Sequence, residues 1–192
     1  MAVINSTFQP TGISFNVIGT DYIINTDWTT DPDDNTIATM KRALHVGDYR
    51  TLNLYFLQNL VPYGVSTLPM VEVNTTQPDK LLLDGCVIRP DTVPGGSAAN
   101  TNEGKTATHE IGHWFGLWHT FEPHGRIPPN PPSGCVGIGD EVDDTPAQQY
   151  STFGCPDKQD SCPNLPGLDP IHNYMDYSFD SCMHEFTPGQ VY

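Results

Sequence analysis

The chain has 192 residues, with 8 Lys or Arg against 23 Asp or Glu, so its formal net charge at pH 7 is −15. This length allows one domain with a buried core, and the acidic balance argues against nucleic acids and anionic membrane surfaces as partners. No run of roughly eighteen apolar residues is present, so the sequence predicts no segment that spans a membrane.

The first fifteen residues lack the basic and apolar regions of a signal peptide. Five cysteines and two glycosylation sequons, which begin at Asn5 and Asn74, are nevertheless typical of the oxidising secretory route. We therefore expect a secreted, extracellular protein whose signal peptide and prosegment are not part of this chain. The alternative is a natural short form.

The first half of the chain predicts a mixed sheet with helices. The alternating segment 13–18 predicts a half-buried strand, and residues 36–45 have helical spacing, with Gly47 as the stop. Residues 52–57 predict a central strand, because both faces are apolar. The apolar segment around Leu82–Val87 predicts a further strand.

The segment from His109 to His119 has the spacing H-E-x-x-H-x-x-G-x-x-H. On a helix predicted over residues 103–117, His109 and His113 project from one face. At about 100° per residue, a continuing helix would point His119 roughly 240° away from His113. The helix must therefore end first, and Gly116 tolerates the left-handed backbone of such an end. Three imidazoles predict a zinc site with one open position, as in catalytic sites; the alternative is a chance match.

The extended motif and a second segment resemble the metzincins. The segment 173–177, NYMDY, resembles their Met-turn, with its methionine at Met175 and, at Tyr177, the Tyr that faces the metal in several families. Together with the DTP segment at 144–146 and the closing CMHEFT at 182–187, it makes the chain resemble the pappalysin-type metzincins, the M43 peptidases. Within them it is most similar to the secreted metalloproteases of fungi.

The resemblance implies an α+β, metzincin-type zincin fold. Its upper subdomain, residues 1–116, holds a twisted mixed sheet and the active-site helix, and its loop-rich, disulfide-stapled lower subdomain, residues 117–192, holds the Met-turn. We expect one monomeric catalytic domain, residues 1–192, that is incomplete at both termini.

The cysteines of the second half, Cys135, Cys155, Cys162 and Cys182, allow three pairings. The resemblance implies the crossed pairs Cys135–Cys162 and Cys155–Cys182. A second zinc site is the alternative, although the sequence has no C-x-x-C pair. Cys86 is left over, and it is free, buried or paired with a segment outside this chain.

The implied function is a zinc endopeptidase that acts on proteins or peptides. Glu110 is expected to take the proton of the attacking water and pass it to the leaving amine, while Tyr177 stabilises the oxyanion. Met175 forms a hydrophobic base for the histidines and is not a ligand. The alternatives are an inactive zinc- or calcium-binding fragment that acts as an interaction module, and a zinc hydrolase of small amides.

Two predictions concern substrate binding. A strand before the active helix of metzincins often pairs with the substrate backbone, so Leu82 and Leu83 are predicted to bind substrate at an open edge; an ordinary buried strand is the alternative. In metzincins the polypeptide that follows the Met-turn runs along the S1′ pocket. The resemblance therefore places Asp180 at this pocket, where its carboxylate would favour Arg or Lys at P1′. Alternatively, Phe179 lines an apolar pocket while Asp180 faces water.

The acidic segment 139–145 predicts a second metal, because hard oxygen ligands at this density suit Ca²⁺. Relatives in the family bind structural calcium near this motif. The candidate ligands are the side chains of Asp140, Asp144 and Thr145 and the carbonyl of Val142. An acidic, solvated loop is the alternative.

Overall fold

The computed structural model describes residues 1–69, 78–122 and 134–191 of the chain. Helices and short strands both occur up to residue 114, and the predicted α+β class is confirmed. Within the described ranges the helices are α1 Ala2–Phe8, α2 Thr26–Thr29, α3 Asp34–Leu44, α4 Pro78–Leu81, α5 Lys105–Trp114 and α6 Pro188–Val191, the strands are β1 Leu54–Phe56, β2 Gly64–Ser66 and β3 Cys86–Ile88, and 3₁₀ turns cover Gln9–Thr11 and Pro90–Thr92.

Helix α3 confirms the helical spacing of residues 36–45. Its N-terminus is capped by Asp33, whose carboxylate accepts a hydrogen bond of 2.8 Å from the Thr36 amide. The apolar face of the helix contributes Met40 to a buried cluster. The other buried members of this cluster are Tyr55, Leu57, Leu60 and Val87.

Lys41, the next residue of α3, is buried and fully hydrogen-bonded. Its Nζ atom donates to the Thr67 hydroxyl (3.0 Å) and to the carbonyls of Leu83 (3.0 Å) and Gly85 (2.7 Å). Burial lowers the pKa of this amine. The side chain therefore links α3 to the residue that follows β2 and to the turn that precedes β3.

The sheet has the order β1-β3-β2, with β3 parallel to β1 and antiparallel to β2. The middle strand is thus β3, whose three residues are all buried. The strand predicted at 52–57 was expected to be central, but β1 lies at an edge of the described sheet and its Phe56 is 51% exposed. The prediction of its place was wrong, because apolar residues on both faces do not specify which strand pairs on both sides.

The predicted open edge at Leu82–Val87 is also wrong. Leu82 and Leu83 lie in a turn after α4, and the strand begins only at Cys86. Since β3 pairs on both sides, it presents no free edge for a peptide. The edge strand on that side of the described sheet is β2.

Residues 13–18 were predicted to form a strand, and they have no regular secondary structure. Val17 is 59% and Ile18 is 79% exposed. The backbone of Phe15 bonds instead to a side chain: its amide donates to Asn5 Oδ1 (2.7 Å) and its carbonyl accepts from Asn5 Nδ2 (3.0 Å). Both the oxygen and the nitrogen of the Asn5 side-chain amide, the acceptor group of the first sequon, are therefore hydrogen-bonded. The second sequon, at Asn74, lies outside the described residues.

The chain divides into two compact units. The first comprises Met1–Asn5 and Ser14–Gly116, and the second comprises Ser6–Ile13 and Leu117–Tyr192. The first segment of the second unit is held by aromatic contacts, since the Phe8 ring lies 5.2 Å from that of Phe186. The predicted organisation as two subdomains of one catalytic domain remains a prediction. Among the described helices, none is long and apolar enough to cross a membrane.

The second unit is stabilised by disulfides and buried polar groups more than by regular secondary structure. Its disulfides are Cys135–Cys162 and Cys155–Cys182, the pairs that the resemblance implies. The fully buried Asp176 accepts hydrogen bonds from the Gln148 amide group (3.1 Å) and the Thr152 backbone (2.9 Å). Such paired polar groups satisfy each other's hydrogen bonds in a loop-rich interior.

Candidate metal centre and catalytic site

Helix α5 packs against β2 and β3 and carries the first two histidines of the motif. It ends where the motif requires, because the Gly116 amide donates to the His113 carbonyl (2.8 Å) and Gly116 has a φ of +100°. Any other residue would be strained in this left-handed conformation. The predicted helix over 103–117 is thus confirmed with slightly shorter bounds.

The ring nitrogens of His109, His113 and His119 come together, with one ligand atom from each within 4.8 Å of the others. The rings of His109 and His113 are perpendicular, with centroids 4.7 Å apart. His109 is buried and the other two are half-buried. Three imidazoles that converge in this way fit the donor set of a catalytic zinc ion.

Glu122 fixes the orientation of His119 and was not predicted from the sequence. Its Oε1 atom lies 2.7 Å from His119 Nδ1, and because an ionised carboxylate only accepts, Nδ1 donates and Nε2 is left as the ligand atom. The His119 ring also stacks on Phe121, at 4.8 Å between centroids. A carboxylate three residues after the last histidine is the signal that could have revealed this pair.

Glu110 is 5% exposed and lies between the two helical histidines in the sequence. Burial raises the pKa of its carboxyl to about 8, and the charge of Lys41 opposes this shift. A methyl group placed on Gly64 of β2 would lie only 2.5 Å from Cγ and Oε1 of Glu110. The predicted general base therefore lies directly against the edge strand.

The NYMDY segment forms a tight turn, in which the Asp176 amide donates to the Asn173 carbonyl (3.2 Å). Met175 within this turn is fully buried, and its carbonyl accepts from the amide of Thr120, the residue after the third histidine. Tyr177 follows the turn, and its hydroxyl lies 3.0 Å from His119 Nε2. The predicted tyrosine is thus next to a candidate ligand atom.

Asp180 is 3% exposed, so the alternative in which it faces water is wrong. Phe179 is half-buried, and its ring packs edge-on against Phe153 at 5.6 Å between centroids. The backbone here is anchored by the neighbouring disulfide at Cys182. A carboxylate therefore lies in a dehydrated environment three residues beyond Tyr177.

The candidate calcium ligands are only partly brought together. Asp140 is 5% exposed, and burial raises its pKa to about 6. Among the described residues, neither Asp140 Oδ2 nor the buried Thr145 hydroxyl has a hydrogen-bond partner within normal distance. Asp144 instead accepts bonds from the Thr187 hydroxyl (2.7 Å) and the Gly189 amide (2.8 Å). The Val142 amide donates to Asp140 Oδ1 (3.2 Å).

Cys86, the fifth cysteine, is a buried free thiol in β3. Its sulfur lies 3.4 Å from the Glu110 carbonyl oxygen and 3.3 Å from the Ser66 hydroxyl. Burial raises the pKa of this thiol to about 12. The side chain thus packs between β2 and α5 as a neutral group.

Comparison with known proteins agrees with this geometry. The family model Peptidase_M43, described as pregnancy-associated plasma protein-A, matches residues 52–192. The chain belongs to the M43 peptidase family. Extracellular metalloproteases of two fungi are each 50% identical to it. The match with the Colletotrichum graminicola protein covers 99% of this chain and 63% of that protein. The match with the Pyricularia oryzae protein covers 99% of this chain and 62% of that protein.

Among solved structures, mature mirolysin of Tannerella forsythia in complex with a cleaved peptide is 32% identical to this M43 chain, with a TM-score of 0.62. The match covers 85% of this chain and 59% of mirolysin. The predicted relation to the pappalysin-type metzincins is confirmed. The chain spans about three fifths of the length of the curated relatives it matches.

Proposed function

We propose that this M43 chain is a secreted, zinc-dependent metalloendopeptidase that acts as a monomer on proteins or peptides. The observation that carries the proposal is the convergence of His109, His113 and His119, with the buried Glu110 directly after His109 in the sequence. The extracellular metalloproteases of fungi at 50% identity support both the activity and the secretion.

The three histidines would hold zinc, which supplies a Lewis acid that polarises the scissile carbonyl and makes water a better nucleophile at neutral pH. Glu110 accepts the proton of the attacking water and delivers it to the leaving amine. The hydroxyl of Tyr177, which lies 3.0 Å from His119 Nε2, donates to the oxyanion. Met175, fully buried in its turn, serves as the Met-turn methionine and binds no metal.

The substrate backbone binds along β2, Gly64–Ser66, in place of the segment predicted from the sequence. Two observations support this choice: β2 is an edge of the described sheet, and Gly64 lies against the Glu110 side chain. An extended peptide added at this edge would pair with the backbone groups of β2 that face away from β3. Its scissile bond would then pass close to the general base.

Two variants test the chemistry. Glu110→Gln keeps the ligands, so it should retain zinc and lose nearly all cleavage of casein, because the proton acceptor is gone. His119→Ala should lose both zinc and activity. Zinc content by mass spectrometry and fragment analysis, with and without a chelator, are the measurements. Robust turnover by Glu110→Gln would remove Glu110 from its role, and wild-type protein that binds zinc without cutting any peptide would favour the interaction module.

We also propose that Asp180 gives the S1′ pocket a preference for Arg, and to a lesser degree Lys. Its burial supports this, because charge-assisted bonds between a guanidinium and a carboxylate are strong where water is excluded. A peptide library digested by the wild type and by the isosteric Asp180→Asn variant tests the role. Basic residues should dominate P1′ for the wild type only. Cleavage that ignores basic residues, or a preference unchanged in Asp180→Asn, would eliminate it.

A calcium ion at Asp140, Asp144, Thr145 and the Val142 carbonyl is a separate proposal. It is supported by the buried Asp140 Oδ2 atom and the buried Thr145 hydroxyl, neither of which has a hydrogen-bond partner within normal distance among the described residues. Asp144 would have to exchange its bond to Thr187 for the ion. Calcium should raise the melting temperature of zinc-saturated wild type and leave that of Asp140→Asn unchanged. An equal response of both proteins, or none, would exclude the site.

A further inference from the structure

Two further histidines, His172 and His184, are held side by side in the second unit, apart from the candidate zinc ligands. The carbonyl of His172 accepts hydrogen bonds from the amides of His184 (2.9 Å) and Glu185 (3.2 Å). The Tyr174 amide then donates to the Glu185 carbonyl (2.9 Å). These backbone bonds join two segments of the chain, so the proximity of the two imidazoles is built into the fold.

Both imidazoles donate to the same backbone oxygen. The Nδ1 atoms of His172 and His184 lie 2.8 Å and 3.1 Å from the carbonyl oxygen of Cys182. Because a carbonyl oxygen only accepts, each Nδ1 carries the hydrogen, and the neutral rings have their lone pairs on Nε2. Cys182 is itself buried and disulfide-bonded, so the shared acceptor is rigid. Among the described residues, no hydrogen bond or ion pair involves either Nε2 atom.

The two rings lie about as close together as those of the first two candidate zinc ligands. Their centroids are 4.6 Å apart, against 4.7 Å for His109 and His113, which are expected to share the zinc. The planes of His172 and His184 are inclined by 36°. A metal-binding histidine commonly donates its second ring N–H to a backbone carbonyl, which fixes the tautomer and orients the ring. Both members of this pair have that support already.

The surroundings favour a cation and leave the pair accessible. His184 is exposed, and the half-buried His172 lines an open pocket of about 370 Å³. Asp144, Asp169 and Glu185 line the same pocket, and no Lys or Arg is among its lining residues. The net charge of −15 adds a long-range attraction for positive ions.

We propose that His172 and His184 form an accessory site for a divalent transition metal such as Zn²⁺ or Cu²⁺. The metal is bound through the two Nε2 atoms, with water in the remaining positions, and imidazole is a ligand type that both ions accept. Such a metal links the residue that precedes the turn of Met175 to the segment that follows Cys182. Binding therefore stabilises this part of the folded chain.

The test uses protein already loaded with one zinc ion. Equilibrium dialysis against micromolar Zn²⁺ should reveal a second equivalent on the wild type, and added Cu²⁺ should give an electron paramagnetic resonance spectrum with coupling to two imidazole nitrogens. His184→Asn keeps an amide donor for the Cys182 carbonyl but removes the outer nitrogen. Its affinity for the second equivalent should be at least tenfold lower. Glu185→Gln, which removes a neighbouring charge and no imidazole, should retain the second equivalent.

A wild type that binds no second zinc ion at these concentrations overturns the proposal without any variant. Equal binding by wild type and His184→Asn overturns it as well, because the hydrogen bond to Cys182 would then be the whole role of the ring. Should His184→Asn fail to fold, His184→Gln removes the same nitrogen and takes its place in the comparison.

Discussion

Gly64 is the position at which β2 comes closest to the predicted general base, and Gly64→Ala tests the site without changing a ligand. The new Cβ would lie 2.5 Å from Cγ and Oε1 of Glu110 and 2.7 Å from its Cδ. Since ordinary contacts begin near 3.4 Å, the carboxylate must move by about 1 Å. Gly64 does not have a positive φ, so backbone strain adds nothing to this clash.

We expect Gly64→Ala to lose activity far more than stability. The Glu110 side chain can rotate away, so the cost to the free energy of unfolding should be about 1–3 kcal/mol, as for other overpacked sites. A displacement of about 1 Å in a catalytic group typically lowers the rate by about 10²-fold. Zinc content should stay at the wild-type level, because the three atoms nearest to the new methyl group all belong to Glu110.

The assay is kcat/KM on a fluorogenic peptide, together with zinc analysis and a thermal melt. Gly19→Ala is the matched control, since Gly19 also lacks a positive φ and a Cβ there meets no atom within 4 Å. It should behave as wild type. If Gly64→Ala keeps its kcat/KM within a factor of about three of the wild type, the position of Glu110 against β2 does not matter for catalysis and the reasoning is refuted.

Three further predictions test other contacts. Tyr177→Phe should lower kcat about 100-fold with unchanged zinc content if its hydroxyl donates to the oxyanion; an unaltered kcat would contradict that role. Cys86 should resist iodoacetamide in the native protein and react once the protein is unfolded, because burial holds its thiol pKa near 12; rapid native labelling would show that β3 opens. Lys41→Met should lower the free energy of unfolding by about 2–4 kcal/mol, because the Leu83 and Gly85 carbonyls lose a charged donor. Chemical denaturation measures this loss. An unchanged free energy of unfolding would mean that the cost of desolvating the amine already cancels its hydrogen bonds.

The candidate metal ligands could be predicted from sequence because their geometry is local. His109 and His113 follow from helical periodicity alone, and the end of α5 follows from the conformational freedom of Gly116. Glu122 was missed although it is equally local, because a carboxylate three residues after a histidine is too common to single out without coordinates. Helix α3 was also predictable, since an amphipathic repeat, an acidic N-cap and a glycine three residues past the helix agree there.

The place of each strand in the sheet could not be predicted from the sequence. Residues 13–18 alternate as a strand would, yet alternation becomes a strand only when a partner supplies backbone bonds, and here the Asn5 side chain bonds the backbone of Phe15 instead. The sequences of β1 and β3 are both short apolar runs, so they do not show which strand has neighbours on both sides. Only the pairing of residues far apart in the sequence makes β3 the middle strand.

The error about the substrate edge has a specific physical cause. The segment before α5 is the more hydrophobic, and hydrophobicity reports burial, so it identifies the strand that is covered on both sides. An edge that receives a peptide must leave its backbone groups free, and its residues need not be apolar at all. Gly64–Ser66 has only three residues, too few for any period to be visible. What distinguishes β2 is the glycine itself: there is no room for a side chain between β2 and Glu110, and a constraint of that kind can be recognised only once the predicted general base has been placed in three dimensions.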